Sequence, residues 1–142
     1  MSLYLDASAV LRILFDEEGD RAPLQAGRIA ASSRLAEVET FRAVDRARLT
    51  GHLDDHEAAQ KSQELAFLLT RLHLAPISDS VIALARASFS VNVRALDAIH
   101  VATAQVLQAE TGPVDFWTHD GRQADAAMSR GLRVFGSEKR EG

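Results

Sequence analysis

The chain has 142 residues, 46% of them hydrophobic and 25% charged, which fits a single globular domain with a sizeable core and excludes a disordered protein. It has no cysteine, so disulfides, thiolate catalysis and cysteine-based zinc sites are ruled out. A net charge of −4 argues against a protein that coats nucleic acid, yet fourteen of the sixteen basic residues are arginines, whose forked donors match phosphate.

The first stretch, Leu3-Tyr4-Leu5-Asp6-Ala7-Ser8-Ala9, runs an apolar strand into a carboxylate and then a helix over 9–15, with Ser8 placed to cap it. An acid at the carboxyl end of a buried strand sits where open α/β sheets bind ligands. With no basic leader and no apolar run long enough for a membrane span, a cytoplasmic protein without a membrane anchor is expected.

A polar break follows over 16–20, then a short strand around 28–31. Ser33 opens a helix running to Leu49 and closed by Gly51. On this helix Leu35, Val38, Phe41 and Leu49 share a face that is expected to pack against the fold. Glu37 and Glu39 flank that face on opposite edges, and spacing does not choose between them. A second helix over 54–72, carrying Leu65, Leu68, Leu69 and Leu72 towards its end, completes an antiparallel hairpin. His52, His56 and His73 read as surface or packing residues.

A strand over 73–77 leads to a helix over 81–89 opened by Ser78-Asp79-Ser80. Then comes Arg94-Ala-Leu-Asp97-Ala-Ile-His100-Val-Ala-Thr-Ala104. Apart from Asp97, His100 and Thr103, residues 95–104 are alanine or aliphatic, so this helix should be largely buried. Asp97 in its first turn then needs a cation, amide donors or a metal. The helix dipole with Arg94 is one such answer. His100 reads as a hydrogen-bonded core histidine. The strand over 114–118 separates two aspartates: Asp115 lies near its start, whereas Asp120 lies just past its end, on the side of Asp6. A helix over 122–130 stops at Gly131, and 132–135 is the last strand. The domain is expected to span 1–135, with a charged tail over 136–142.

Strands alternating with helices predict a parallel sheet covered on both faces. Asp6 and Asp120 then share one sheet edge, and Glu39 and Asp97 are carried by helices able to lean over it. Carboxylates converging there repel one another without a cation. An all-oxygen ligand set suits Mg²⁺ or Mn²⁺ held with several waters, a combination able to hydrolyse phosphodiesters.

The stretches Tyr4-Leu-Asp6-Ala-Ser8, Ser33 with Glu39 and Arg42, Leu96-Asp97-Ala-Ile-His100, and Thr118-His-Asp120 with Gly131-Leu132 resemble, in order and spacing, the PIN-domain ribonucleases, and most closely VapC-type toxins of bacterial toxin–antitoxin pairs. The resemblance implies a three-layer α/β/α PIN-like fold with a central, mainly parallel sheet and a helical hairpin. It implies Asp6, Glu39, Asp97 and Asp120 as catalytic, metal-binding acids, and it alone selects Glu39 over Glu37. Ser8 and Thr118 would orient the site. It further implies a homodimer, a VapB-like antitoxin, and structured RNA such as transfer or ribosomal RNA as substrate. Arg42, Arg46 and Arg94 would rim the site and meet the RNA backbone.

An aspartyl-phosphate phosphatase would need a second aspartate where Ser8 stands. A receiver domain would need a late lysine, for which neither Lys61 nor Lys139 is placed. A PIN-like binding or regulatory module without catalysis is the alternative reading.

Overall fold

The computed structural model describes residues 2–15, 19–25 and 27–137; the acidic residues 16–18 and the tail from 138 lie outside them. Five strands, β1 (Ser2–Leu5), β2 (Ile29–Ser33), β3 (His73–Ala75), β4 (Val114–Trp117) and β5 (Arg133–Phe135), form one sheet in the order β3-β2-β1-β4-β5, with every pairing parallel. Six helices connect them: α1 (Ala7–Leu14), α2 (Arg34–Leu49), α3 (Asp55–Thr70), α4 (Asp79–Ala85), α5 (Ala95–Thr111) and α6 (Gly121–Ser129). None is long and apolar enough to cross a membrane.

β1 is central and buried along its whole length. Successive side chains of a strand face opposite ways, and β1 shows it. Leu3 and Leu5 join the core under α1, α2 and α3, with Val10, Val44, Leu65 and Leu69. Tyr4 joins the opposite core, with Val101, Leu107 and Phe116, under α5 and α6. The expected three-layer arrangement with helices on both faces is therefore what these residues build.

The chain builds outward from β1 through β2 to β3, then crosses back to add β4 and β5 on the other side. The order thus reverses between β1 and β4, and at such a switch point the two departing loops separate and leave a crevice beyond the carboxyl ends. Asp6 follows β1, and Thr118, His119 and Asp120 follow β4. Asp6 N–H donates to the Trp117 carbonyl at 3.1 Å, joining the two strand ends.

Two expectations fail here. Helix α1 begins at Ala7, and its cap is Asp6, whose side chain accepts from Ala9 N; Ser8 lies inside the helix. On α2 the buried stripe is Ala36, Thr40 and Val44, whereas Val38 and Leu49 are 61% and 65% exposed. Small residues let the helix approach closely, and Thr40 satisfies its hydroxyl within the helix by donating to the Ala36 carbonyl at 2.6 Å. Val38 and Leu49 are left on the outer surface, while Leu35 is half-buried. The hairpin partner α3 stands where expected; an Asp54–Glu57 capping box opens it, and Leu65, Leu68 and Leu69 face inward.

At the other end of β4, Asp115 is buried beside two arginines, Arg28 at 3.1 Å and Arg133 at 3.7 Å. It fastens the amino-terminal edge of the sheet, remote from the crevice. Asp115→Asn should lower unfolding free energy by about 1–2 kcal/mol, less than for a fully buried pair because both arginines are partly solvated. Urea denaturation checks this; an unchanged midpoint would contradict it.

Candidate active site

Asp6 is 4% exposed, and its carboxylate receives three hydrogen bonds. Ser8 Oγ donates to Oδ1 at 2.6 Å, Ala9 N to Oδ1 at 3.0 Å and Thr118 Oγ1 to Oδ2 at 2.5 Å. Each hydroxyl is itself aimed by the loop after β4. Ser8 Oγ accepts from His119 N at 2.8 Å, and Thr118 Oγ1 accepts from Asp120 N at 3.0 Å. That loop is held in turn from β5: Thr118 N donates to the Phe135 carbonyl at 3.0 Å, and His119 Nδ1 lies 2.8 Å from the Gly136 carbonyl. Gly136 has φ +97, and a Cβ there would lie 2.7 Å from the Thr118 carbonyl oxygen, so glycine is required on both counts.

Burial raises the Asp6 pKa above the ordinary carboxylate range; His100 and the three donors pull it down, but desolvation is the larger effect. Asp97, in the first turn of α5, is half-buried. Its pKa is also raised, first by burial and then by Asp120, with Asp6 and Glu39 adding to the repulsion and His100 opposing it. The acids expected from the sequence therefore share one electrostatic neighbourhood centred on Asp97. Asp120 is exposed and caps α6, its Oδ1 accepting from Arg122 N at 2.9 Å.

Among the described residues, none of Asp6, Glu39, Asp97 and Asp120 is ion-paired with an arginine or lysine. Arg94, a possible partner of Asp97 from spacing alone, does not pair with it. No three acid or histidine side chains among the described residues stand close enough to form a ready-made metal cage. The two observations agree once distance is considered, because charge repulsion acts well beyond the ~2 Å of a metal–oxygen bond. The acids are near enough to repel one another without being gathered into a cage.

The two glutamates of α2 separate clearly. Glu37 pairs with Arg34 on the surface, whereas Glu39 Oε1 lies 2.6 Å from His100 Nε2. An ionised carboxylate only accepts, so Nε2 carries a proton. Nδ1 lies 2.6 Å from the Tyr4 hydroxyl. Burial and the nearby Asp6 charge raise the Tyr4 pKa well above its usual value, so the phenol keeps its proton and can donate it to Nδ1. His100 is the buried, hydrogen-bonded histidine expected from the sequence. Its link to Glu39 was not legible there, because it joins residues 61 apart through a fold contact.

Beside the acids lies a 300 Å³ cavity lined by Val91, Asn92, Arg94, Asp97, Arg122 and Asp125. Arg94 is an expected rim residue. Arg122 was missed, although its place just after the cap of α6 could have suggested it. Arg42 instead pairs with Asp45 at 2.9 Å.

Comparison with known proteins gives the family. The PIN-domain family model matches residues 3–127. The chain is 36% identical over 137 residues to "Ribonuclease VapC46" of Mycobacterium tuberculosis (strain ATCC 25618 / H37Rv), covering 94% of this chain and 96% of that protein. It is 32% identical over 127 residues to "Ribonuclease VapC47" of Mycobacterium tuberculosis (strain CDC 1551 / Oshkosh), covering 84% and 85%. Among solved structures, VapBC2 from Rickettsia felis, bound to a DNA fragment from their promoter, aligns with a TM-score of 0.65 at 13% identity over 95% of this chain and 98% of that one. PAE2754 from Pyrobaculum aerophilum aligns with a TM-score of 0.65 at 18% identity over 94% and 83%. At those identities the structural matches speak for the fold alone.

The raised Asp97 pKa has a consequence for stability. The folded protein holds this proton more tightly than the unfolded chain, so stability falls as pH rises from the unfolded carboxylate value, about 3.9, through the raised one. Without metal, Asp97→Asn should therefore raise the melting temperature at pH 7 by about 2 °C, a small gain because the group is solvent-screened. The gain should shrink to nothing below about pH 4; thermal melts across pH check it, and a gain that grew on acidification would refute it. By sequence match, sheet order and the residues at the switch point, the chain belongs to the PIN-domain family, as a VapC-type member.

Proposed function

We propose that this protein is a metal-dependent endoribonuclease, the toxin of a toxin–antitoxin pair. The observation that carries the reading is Asp97: a half-buried carboxylate, unpaired with any cationic side chain among the described residues, repelled by Asp6, Glu39 and Asp120 at the switch point of the sheet. Charge accumulated in this way strains the metal-free fold and suits a site whose occupant is a cation. The ribonuclease names of the two Mycobacterium tuberculosis relatives support the same reading.

The donor set fits a hard divalent ion, Mg²⁺ or Mn²⁺, because all four acids offer oxygen. Their open spacing suits an ion that keeps several waters and takes only some of its ligands from protein. Asp6, Glu39, Asp97 and Asp120 would hold it, and when bound it supplies water activation and charge stabilisation at a phosphodiester. Ser8 and Thr118 keep both Asp6 oxygens in one orientation. Glu39 engages His100 through Oε1, and Oε2 makes no hydrogen bond to a described residue. Arg94 and Arg122 present guanidinium groups at the cavity beside Asp97, where a phosphate backbone entering the acidic site would meet them. Local positive charge then admits RNA to a protein whose net charge is negative.

Structured RNA, transfer or ribosomal, is the proposed substrate, cleaved in the cytoplasm. A VapB-like antitoxin is the proposed inhibitor, in keeping with the VapBC2 structure among the fold neighbours. The active form is proposed to be a homodimer.

Purified protein should cleave RNA with Mg²⁺ or Mn²⁺ and stop with EDTA. Asp6→Asn and Asp97→Asn should each reduce kcat by about 100-fold or more with the fold retained. Asp120→Asn should weaken cleavage, whereas folded Asp115→Asn should retain it. Gel-resolved cleavage rates with circular dichroism controls check the ranking. Full metal-dependent cleavage by Asp97→Asn would sink the proposal, and a wild type inert towards RNA would favour a non-catalytic PIN-like module.

A further inference from the structure

We propose that His100 is a positioning residue of this site: anchored at Nδ1 by Tyr4, it sets the direction in which Glu39 presents its carboxylate. The inference rests on the nuclease reading above and deepens it.

The relay crosses three elements. Tyr4 belongs to the central strand β1, His100 to α5 and Glu39 to α2, and both contacts on the imidazole measure 2.6 Å. Its origin is immobile. Tyr4 is fully buried, stacked on Phe116 with centroids 5.2 Å apart and an interplanar angle of 18°, and meets the His100 ring edge-on at 5.8 Å. The imidazole is 2% exposed and uses both nitrogens, so flipping the ring would put carbon atoms opposite both partners and forfeit two hydrogen bonds.

Glu39 lacks any such constraint of its own. It rises from a helix whose neighbouring glutamate is occupied by Arg34, and its carboxylate's only hydrogen bond to a described residue is the one to His100. Among the described residues, that bond is also the one side-chain hydrogen bond joining α2 to α5. Without it a glutamate with three rotatable bonds would sample many directions. An imidazole suits the task, since it orients a carboxylate through one N–H and leaves the second oxygen available. An arginine in the same place would pair with the carboxylate and compete with a cation. The contacts that orient a metal-binding group commonly matter almost as much as the group itself.

The test compares Tyr4→Phe, His100→Leu, His100→Gln and Glu39→Gln in the full chain, by calorimetric Mn²⁺ binding and steady-state RNA cleavage. His100→Leu should weaken Mn²⁺ binding and lower kcat by roughly 10–100-fold while KM for RNA stays within about two-fold. His100→Gln, which keeps an N–H for Glu39, should recover most of that loss. Tyr4→Phe should act in the same direction and lose its effect once Glu39 is replaced by Gln. A folded His100→Leu with wild-type Mn²⁺ affinity and kcat overturns the proposal.

If His100→Leu does not fold, Tyr4→Phe carries the reading, since it keeps the ring and its stacking; a Tyr4→Phe loss that persists undiminished without the Glu39 carboxylate overturns it. A wild type that cleaves no RNA defeats the nuclease reading separately. The relay is then read from unfolding of the metal-free protein, where losses for Tyr4→Phe and Glu39→Gln, residues that share no hydrogen bond, that are non-additive with His100 present and additive in His100→Gln support it, and losses additive in both overturn it.

Discussion

A carboxylate withdrawn from water at the end of a central strand is tolerable only if its oxygens are met by donors, and Asp6 is nearly inaccessible. Ser8, Ala9 and Thr118 meet that demand, and each imposes a further condition. Ala9 N is available because Asp6 begins α1. The hydroxyl of Thr118 is available because the chain after β4 turns directly over the end of β1. That turn is possible because β4 lies beside β1 in the sheet. The burial of one charge thus links the order of strands to the course of two loops and the start of a helix.

Strand polarity divides the remaining acids by role. Asp115 lies inside β4 near its start and Asp120 just beyond its end, yet Asp115 sits between two arginines at the amino-terminal edge while Asp120 caps α6 at the crevice. The same side chain stabilises the sheet at one edge and adds to an unrelieved negative field at the other. The arginines follow a similar division: Arg28 and Arg133 neutralise Asp115, whereas Arg94 and Arg122 line the cavity beside Asp97. Net charge conceals this arrangement, which depends on the end of the sheet each residue faces.

Much of this was legible in the sequence where a local rule and the tertiary context agree. The apolar run Leu3–Leu5 of β1 declares a buried strand, glycine after α6 marks its end, and Asp54 marks the start of α3. Where side-chain size opposes local periodicity, the reading failed. On α2 the larger residues suggested the inner face, but close packing chose Ala36, Thr40 and Val44. Ser8 looked like a cap because hydroxyls often are, but a preceding carboxylate with nowhere else to turn took that place. For the site, the acids at strand ends could be read from position. Glu39 could not, since choosing it over Glu37 depends on a histidine far along the chain.

The family match ends at residue 127, eight residues before the last strand closes, and the loop that aims the hydroxyls at Asp6 leans on backbone carbonyls at Phe135 and Gly136. The boundary of recognisable sequence and the boundary of the hydrogen-bonded frame around Asp6 are therefore different. A protein trimmed to the matched region would keep every acid and lose the abutment that holds two of their hydrogen-bond donors in place. For anyone fusing, shortening or transplanting this domain, Gly136 has to travel with the acids it helps to aim.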